Sequence, residues 1–196
     1  MSTPQPRWLD EVAKANEQFR ARIAPDRLPV QRQPGSVAVI TCMDPRVNLE
    51  ALGVAQFGPQ GESQSPVRVI RTLGGMAESR SLLVGMFLAG IREFALLAHT
   101  DCGCMLAHAK IDTIIANMEK RLEPGQLARV KAEVGEPFRD HLIEWLKAFS
   151  DPREAVRKEA AAVRALPFMP RDVPVHGLVY DLETGRVEVA VNGYEF

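Results

Sequence analysis

Three short apolar runs constrain the fold of this chain more than any other feature. They cover residues 36–41 (SVAVIT), 67–71 (VRVIR) and 94–98 (FALLA). Short apolar runs bounded by polar or turn residues are typical of buried strands. The stretch 79–91 has the length of a helix, and Ser79 is a suitable N-cap. Strands that alternate with a helix predict an α/β fold around a mainly parallel sheet, with right-handed crossovers.

The region after Cys104 completes this core. Apolar residues recur there at near-helical spacing, and two or three further helices are predicted over residues 124–165. Residues 173–180 and 186–191 predict two strands joined by a turn at Gly185. This C-terminal hairpin would close the sheet or extend it with an antiparallel edge strand.

The amphipathic segment 8–22 is separated from the core by a proline-containing connection at residues 25–35. Such a segment suits a helical arm that packs on a neighbouring subunit. We therefore predict a single domain over residues 1–196, with an N-terminal arm at 1–34 and an α/β core flanked by helices at 35–196.

Charge and hydropathy disfavour several classes of protein. The 196 residues carry 24 Lys and Arg against 25 Asp and Glu, a formal net charge of -1. No positive field is available for a phosphate backbone, so no nucleic-acid partner is expected. The longest apolar stretch, residues 82–91, is well below the roughly 18 residues of a membrane span, so no membrane association is expected.

Cysteine usage points to a reducing compartment. The count of three, at positions 42, 102 and 104, is odd and forms no disulfide framework. The first residues mix both charge signs and lack an apolar core, unlike a secretion or transit signal. We expect a cytoplasmic protein with reduced thiols that are available to a metal or to catalysis.

The motif Cys42-Met43-Asp44-Pro45-Arg46 directly follows the first predicted strand. The carboxyl ends of parallel strands form the usual ligand crevice of α/β folds. In an extended segment residues two apart point the same way, so Cys42, Asp44 and Arg46 can present a thiolate, a carboxylate and a guanidinium to one pocket. Arg46 can also hold Asp44 through a bidentate pair.

A second motif, HTDCGC at residues 99–104, follows the third predicted strand. One turn can supply both His99 and Cys102 as ligands, and zinc prefers such nitrogen and sulfur donors. With Cys42 they would leave the fourth tetrahedral position open, as in a catalytic zinc site. A helix that begins near Cys104 would favour Cys102 as a thiolate.

Each motif also has a plain structural interpretation. A cysteine at the end of a buried strand is often a small core residue, and an Asp-x-Arg pair is often a solvated ion pair. The occurrence of both motifs at strand ends favours a site. His108, His141 and His176 have no convincing partner at metal spacing and are assigned no role.

The Cys-x-Asp-x-Arg and His-x-x-Cys motifs, with a Gly-Gly pair between them, resemble the β-class carbonic anhydrases. The resemblance covers residues 37–104 and resumes weakly at residues 175–185, about half of the chain. Either motif alone would be a weak signal, whereas the two together, each after a predicted strand, are specific.

The resemblance implies one Zn²⁺ per chain, held by Cys42, His99 and Cys102, with Asp44 and Arg46 as the catalytic pair that governs the fourth zinc position. Zinc lowers the pKa of bound water from 15.7 to roughly 7. The implied reaction is the zinc-dependent, reversible hydration of CO2 to bicarbonate and a proton. In some members the corresponding aspartate takes the fourth position and shuts the site. A homodimer or dimer-based oligomer is also implied.

Two departures from the family pattern keep alternatives open. Residues 72–75 read Thr-Leu-Gly-Gly where the family usually reads Asn-Ala-Gly-Gly, so a bulky side chain lies near the expected pocket. A hydrolase of carbon disulfide or carbonyl sulfide on the same zinc is one alternative. Cys104 is interpreted as structural, but a closed Cys₃His site that includes it would give a non-catalytic zinc protein. The candidate pocket residues are Leu73, Gly74, Gly75 and Gly103.

Overall fold

The computed structural model describes residues 8–22, 35–54 and 67–195. Within them the helices are α1 (Trp8–Arg22), α2 (Ser79–Phe87), α3 (Gly103–Ala109), α4 (Ile111–Arg121), α5 (Pro124–Val134), α6 (Phe138–Trp145) and α7 (Pro152–Arg164). The strands are β1 (Val37–Cys42), β2 (Val67–Thr72), β3 (Glu93–His99), β4 (Val175–Tyr180) and β5 (Val187–Val191).

The five strands form one sheet in the order β2-β1-β3-β4-β5. The strands β2 and β3 run parallel to β1, and β4 runs parallel to β3. The last strand, β5, is antiparallel to β4, and Gly185 in the turn between them has φ 70°. The predicted α/β fold, with a mainly parallel sheet and an antiparallel edge strand, is confirmed. Because β1 and β3 are parallel neighbours, the residues that follow them meet at one edge of the sheet.

Hydrophobic clusters cover both faces of the central strands, since alternate side chains point to opposite faces. One cluster packs Ile40 and Phe94 against Val156 of α7. The cluster on the opposite face includes Val39, Leu97 and all three cysteines. A third cluster joins α4, α5 and α6. The motif residues therefore lie at the end of a packed face.

Helix boundaries differ from the sequence-based expectation. The N-cap of α2 is Glu78, whose carboxylate accepts two backbone N–H groups of the first turn, so the assignment of Ser79 was wrong. This helix ends at Phe87, before residue 91, and Gly90 follows with φ 77°. The helical pattern after Cys104 is divided at Lys110 into α3 and α4.

Every side chain of α1 that the structure describes is exposed, including Trp8 at 76% and Leu9 at 70%. Most of the predicted connection 25–35 lies outside the described residues, which resume at Gly35. In the described part of the chain, no helix has both the length and the apolar character that crossing a membrane requires.

Candidate metal centre

The ends of β1 and β3 bring the two cysteine motifs together. Cys42 ends β1, His99 ends β3, and Cys102 is the N-cap of α3. All three side chains are buried, and their donor atoms lie within 4.8 Å of one another. The two sulfur atoms, Cys42 Sγ and Cys102 Sγ, are 3.9 Å apart. The sequence predicted this cluster of two sulfurs and one nitrogen as a donor group.

The two ring nitrogens of His99 have different surroundings. Nδ1 lies 2.8 Å from the carbonyl oxygen of Thr100, a position in which Nδ1–H donates and Nε2 is left with a free lone pair. Among the described residues, Nε2 of this fully buried histidine has no hydrogen-bond partner. A buried polar atom without a partner is costly. An Nε2 lone pair beside two sulfurs fits the donor set that zinc prefers.

The protein environment opposes ionisation of the two thiols. Burial raises the pKa of Cys42, although the backbone N–H groups of Asp44 and Gly74 oppose this. A side-chain hydrogen bond with Cys104, together with burial, raises the pKa of Cys102 to about 12. The N–H of Cys104 does donate to Cys102 Sγ at 3.5 Å, but this does not outweigh the other two effects. The start of α3 thus favours a Cys102 thiolate, as expected, but the net shift of the Cys102 pKa is still upward.

Since both thiols resist ionisation, a cation is needed to bring them to the thiolate form together. Burial lowers the pKa of His99, but the Cys102 sulfur and the Thr100 carbonyl raise it more, so the net shift is upward. A divalent cation would displace these protons and stabilise the charge that the donor group acquires.

Asp44 and Arg46 form the expected pair at the margin of the donor group. Asp44 Oδ1 accepts from the backbone N–H of Arg46 at 2.9 Å and from its Nε at 3.0 Å, while Oδ2 accepts from Nη2 at 2.7 Å. These bonds hold the pKa of Asp44 well below its usual range. The negative charge of this carboxylate also contributes to the upward shift of the His99 pKa. Asp44 is thus held as an anion beside the donors.

Arg46 has a second carboxylate partner, which the sequence analysis missed. Its Nη1 donates to Asp101 Oδ2 at 2.7 Å, and its Nη2 donates to the Asp101 carbonyl at 2.9 Å. Asp101 has φ 50°, an uncommon conformation outside glycine. Its position inside the HTDCGC motif was the available signal. The guanidinium therefore links the segments that follow β1 and β3.

Arg71 of β2 was also missed. Its Nη1 donates to the Cys42 carbonyl at 2.9 Å, and its Nη2 donates to the Val47 carbonyl at 3.2 Å. These bonds satisfy carbonyl groups of the irregular segment that carries Asp44. Arg71 lies within a predicted strand, and nothing in the sequence of that strand predicts its contacts with these two carbonyl groups.

The segment 72–77, hereafter the pocket loop, holds most of the predicted pocket residues. Leu73 is 42% exposed, whereas Gly74 and Gly75 are buried with φ 64° and 75°. A Cβ on Gly75 would lie 2.9 Å from the Leu97 carbonyl oxygen, so only glycine fits there. Gly103, by contrast, is exposed and has open space around its α-carbon.

The remaining cysteine and histidines stay outside the donor group. Cys104 is buried, and a Cβ on Gly74 would lie 2.7 Å from its sulfur. Its Sγ is not part of the group of mutually close donors found among the described residues. His176 bonds Glu93 and the Gly193 N–H at the opposite end of the strands. His108 and His141 likewise lie outside the group.

Comparison with known proteins gives relatives of two named activities, and no protein-family model matches the chain. The carbon disulfide hydrolase of Acidianus sp. (strain A1-3) is 30% identical over 167 residues, 76% of this chain and 74% of that protein. The β-carbonic anhydrase 1 of Mycobacterium tuberculosis (strain CDC 1551 / Oshkosh) is 29% identical over 154 residues, 77% and 79% of the two chains.

A solved structure is similar over nearly the whole chain. The crystal structure of β-carbonic anhydrase isoform I from Trichomonas vaginalis has a TM-score of 0.74 and 27% identity. The match covers 96% of this chain and 100% of that chain. The similarity therefore extends well beyond the two motifs.

Proposed function

The chain belongs to the β-carbonic anhydrase family, and from this premise we propose that it catalyses the zinc-dependent, reversible hydration of CO2 to bicarbonate and a proton. The observation that carries the proposal is the buried, unpartnered Nε2 of His99 beside the sulfurs of Cys42 and Cys102. One Zn²⁺ per chain would be held by these three residues. Zinc held in such a site would act as a Lewis acid and make water nucleophilic near neutral pH.

Asp44 has the protonation state and the lone pairs to orient the attacking water. Its carboxylate is ionised and offers about four acceptor sites. Arg46 brings three donors to them, because its Nε is shared between Oδ1 at 3.0 Å and Oδ2 at 3.3 Å, so Oδ2 can accept one more hydrogen bond. Asp44 can accept a hydrogen bond from the water and leave a lone pair of the water oxygen directed at the carbon of CO2. Arg46, held from its other side by Asp101, would keep the carboxylate in that orientation.

Hydrolysis of carbon disulfide or carbonyl sulfide at the same site is the second candidate. Leu73 supports it, because a half-exposed leucine in the pocket loop adds apolar surface where the family usually has alanine. Several relatives named carbon disulfide hydrolase also support it. Both candidates need the same donors and differ in the pocket.

One pair of assays on protein of known zinc content tests both candidates. We expect fast CO2 hydration by stopped flow above pH 8 at one zinc per chain. Release of sulfide from carbon disulfide without CO2 hydration would instead establish the second candidate. Leu73→Ala should change the ratio of the two activities, whereas Val189→Ala, at an exposed apolar residue of β5, should not. Absence of both activities in zinc-loaded protein would refute both candidates.

We also propose that the core pairs with a second copy through its apolar surfaces. Val84, Phe87 and Leu88 of the α2 region are exposed, at 49%, 65% and 78%, beside a groove that borders strand β2. The exposed apolar residues of α1 could cover such a groove on a partner.

CO2 and bicarbonate are the small-molecule partners that we propose. We also propose that residues 1–196 form a single domain.

A cytoplasmic location is the compartment we propose. The three cysteines are free and buried, and Cys42 and Cys102 can serve as metal ligands only when reduced. Fractionation with a thiol-reactive label tests this proposal. Recovery of the protein with a Cys42–Cys102 disulfide from an oxidising compartment would contradict it.

A further inference from the structure

A buried carboxylate lies on α7, outside the donor group and unused by the proposed reaction. Glu159 is only 7% exposed. Its Oε1 accepts from the backbone N–H of Ala77 at 2.9 Å and from Lys147 Nζ at 2.9 Å, and its Oε2 accepts from the same Nζ at 3.0 Å. A buried carboxylate is tolerated only when it is paired and hydrogen-bonded, as this one is.

The Ala77 N–H belongs to the last residue of the pocket loop. At the other end of the loop, Thr72 is the register partner of Cys42, and the Thr72 carbonyl accepts from the Met43 N–H at 2.8 Å. Thr72 Oγ1 also donates to the Met76 carbonyl at 2.6 Å. The loop is therefore fastened to β1 at one end and to α7 at the other.

Between these two ends the loop packs tightly against Cys42 of the donor group and against Cys104, which lies outside it. A Cβ on Gly75 would lie 3.3 Å from the Cys42 backbone nitrogen, and a Cβ on Gly74 would lie 2.7 Å from Cys104 Sγ. The Gly74 backbone N–H also donates a hydrogen bond to Cys42. A shift of the pocket loop would therefore change the contacts of Cys42.

The connection between α6 and α7 supports the loop from behind. A Cβ on Gly74 would lie 3.4 Å from the Phe149 ring, so this ring packs against the loop. Lys147, in the same connection, has φ 48°, an uncommon conformation for a residue other than glycine. Such a conformation persists where the surrounding contacts require it, and here the side chain ends on Glu159.

We propose that Glu159, paired with Lys147, is a positioning residue that fixes the pocket loop against the Cys42 end of β1. Only the effect of Glu159 on catalysis rests on the proposed function. Its effect on the donor group can be measured without turnover. Glu159 is not one of the three donors. It acts through the Ala77 N–H and the loop.

The test compares three variants in the full chain. Glu159→Ala removes the acceptor and the charge, and Glu159→Gln keeps an acceptor for the Ala77 N–H but removes the charge. Glu188→Gln is the matched control, because Glu188 pairs with Arg153 of the same helix α7 and joins it to β5. Lys147→Met provides a second approach if Glu159→Ala fails to fold.

Two readouts follow the donor group directly, each on protein shown to be folded by near-ultraviolet circular dichroism. One is the thiolate-to-metal absorption of the Co²⁺-substituted protein, and the other is zinc affinity from chelator competition. We expect Glu159→Ala to weaken zinc binding by about 10-fold and to shift the Co²⁺ spectrum, since changes around ligands typically cost 10- to 100-fold. Glu159→Gln and Lys147→Met should show smaller changes in the same direction, and Glu188→Gln none.

Folded Glu159→Ala or Lys147→Met protein with wild-type zinc affinity and an unchanged Co²⁺ spectrum would overturn the positioning role, whatever its turnover. Equal changes in Glu188→Gln would also overturn it, since they would reflect general loosening of α7. If the spectrum shifts but the wild type hydrates no CO2 and hydrolyses no carbon disulfide, the proposed function fails and the positioning role stands.

Discussion

Arg46 holds two carboxylates at once, and this makes it the residue on which the geometry of the site depends most. It fixes Asp44 on one side and Asp101 on the other, across segments that follow different strands. Without it, Asp44 would be free to turn toward the donor group. The pair is partly exposed, so its value lies in orientation more than in stability.

Arg46→Ala is expected to retain zinc but to lose at least about 100-fold in turnover, because a released Asp44 can occupy the fourth metal position. Zinc content by mass spectrometry and stopped-flow CO2 hydration measure the two effects. Arg139→Ala, which breaks the exposed pair with Asp112, serves as the control and should keep wild-type turnover. Full activity of the zinc-loaded Arg46→Ala protein would refute the orienting role.

Cys104→Ser is expected to leave zinc at one per chain. The sulfur of Cys104 lies against Gly74 and is not in the donor group, so its replacement removes no metal ligand. Cys42→Ser, which removes a donor, should lose zinc under the same dialysis. If Cys104→Ser loses zinc as readily as Cys42→Ser, the site is a closed Cys₃His centre.

Local spacing made the donors predictable, whereas their supporting contacts depend on the folded chain. Cys42 and His99 each lie directly after a predicted strand, and Cys102 follows His99 by three residues, so the parallel sheet and one turn bring the three together. Asp101 lies inside a motif but meets Arg46 across 55 residues. Glu159 meets Ala77 across 82 residues, and no periodicity in the sequence relates the two.

At the scale of elements, the strands were easier to predict than the helix ends. Runs such as VAVIT are buried on both faces, so their apolar character continues to the strand ends and marks them within a residue or two. Helix ends depend on single capping groups, and α2 is capped by Glu78, one residue before the serine that was expected to cap it.

The Glu78 cap gives α2 a pH-dependent start. Hydrogen bonds from Arg80 and Ser81 lower the pKa of Glu78 to about 2, below the usual 4.5. The stabilisation is therefore complete above about pH 4.5 and is lost as the pH falls toward 2. We expect Glu78→Ala to lower Tm by about 2–4 °C at pH 7. Thermal unfolding of both proteins from pH 7 to 2 should show the difference shrinking, and a constant difference would contradict the capping role.

At the scale of the whole molecule, the described residues expose large apolar side chains that suit an interface better than the surface of a monomer. Strong exposure is found for Trp8 and Leu9 of α1, and for Phe87 and Leu88 at the end of α2. Large exposed apolar patches usually mark an interaction surface. The arm and the groove beside β2 are the two surfaces that the proposed dimer would bury.

Trp8→Ala combined with Leu9→Ala is expected to raise the dimer Kd by at least about 10-fold, since buried aromatic anchors dominate interface energies. Lys14→Ala with Glu17→Ala on the same helix is the control and should leave the Kd near that of the wild type. Size exclusion with light scattering over a concentration series measures both. A wild-type chain that stays monomeric at tens of micromolar would rule out the proposed dimer.

Parallel neighbours in a sheet are joined by a crossover, and for this reason Cys42 and Cys102 are 60 residues apart in the chain. No short peptide from this sequence contains the whole donor group, and a fragment around residues 99–104 offers only part of it. An ion that binds all three donors would thus bind the folded chain and not the unfolded one. By mass action, each tenfold excess of free ion over its Kd would then add about 1.4 kcal/mol to the free energy of unfolding.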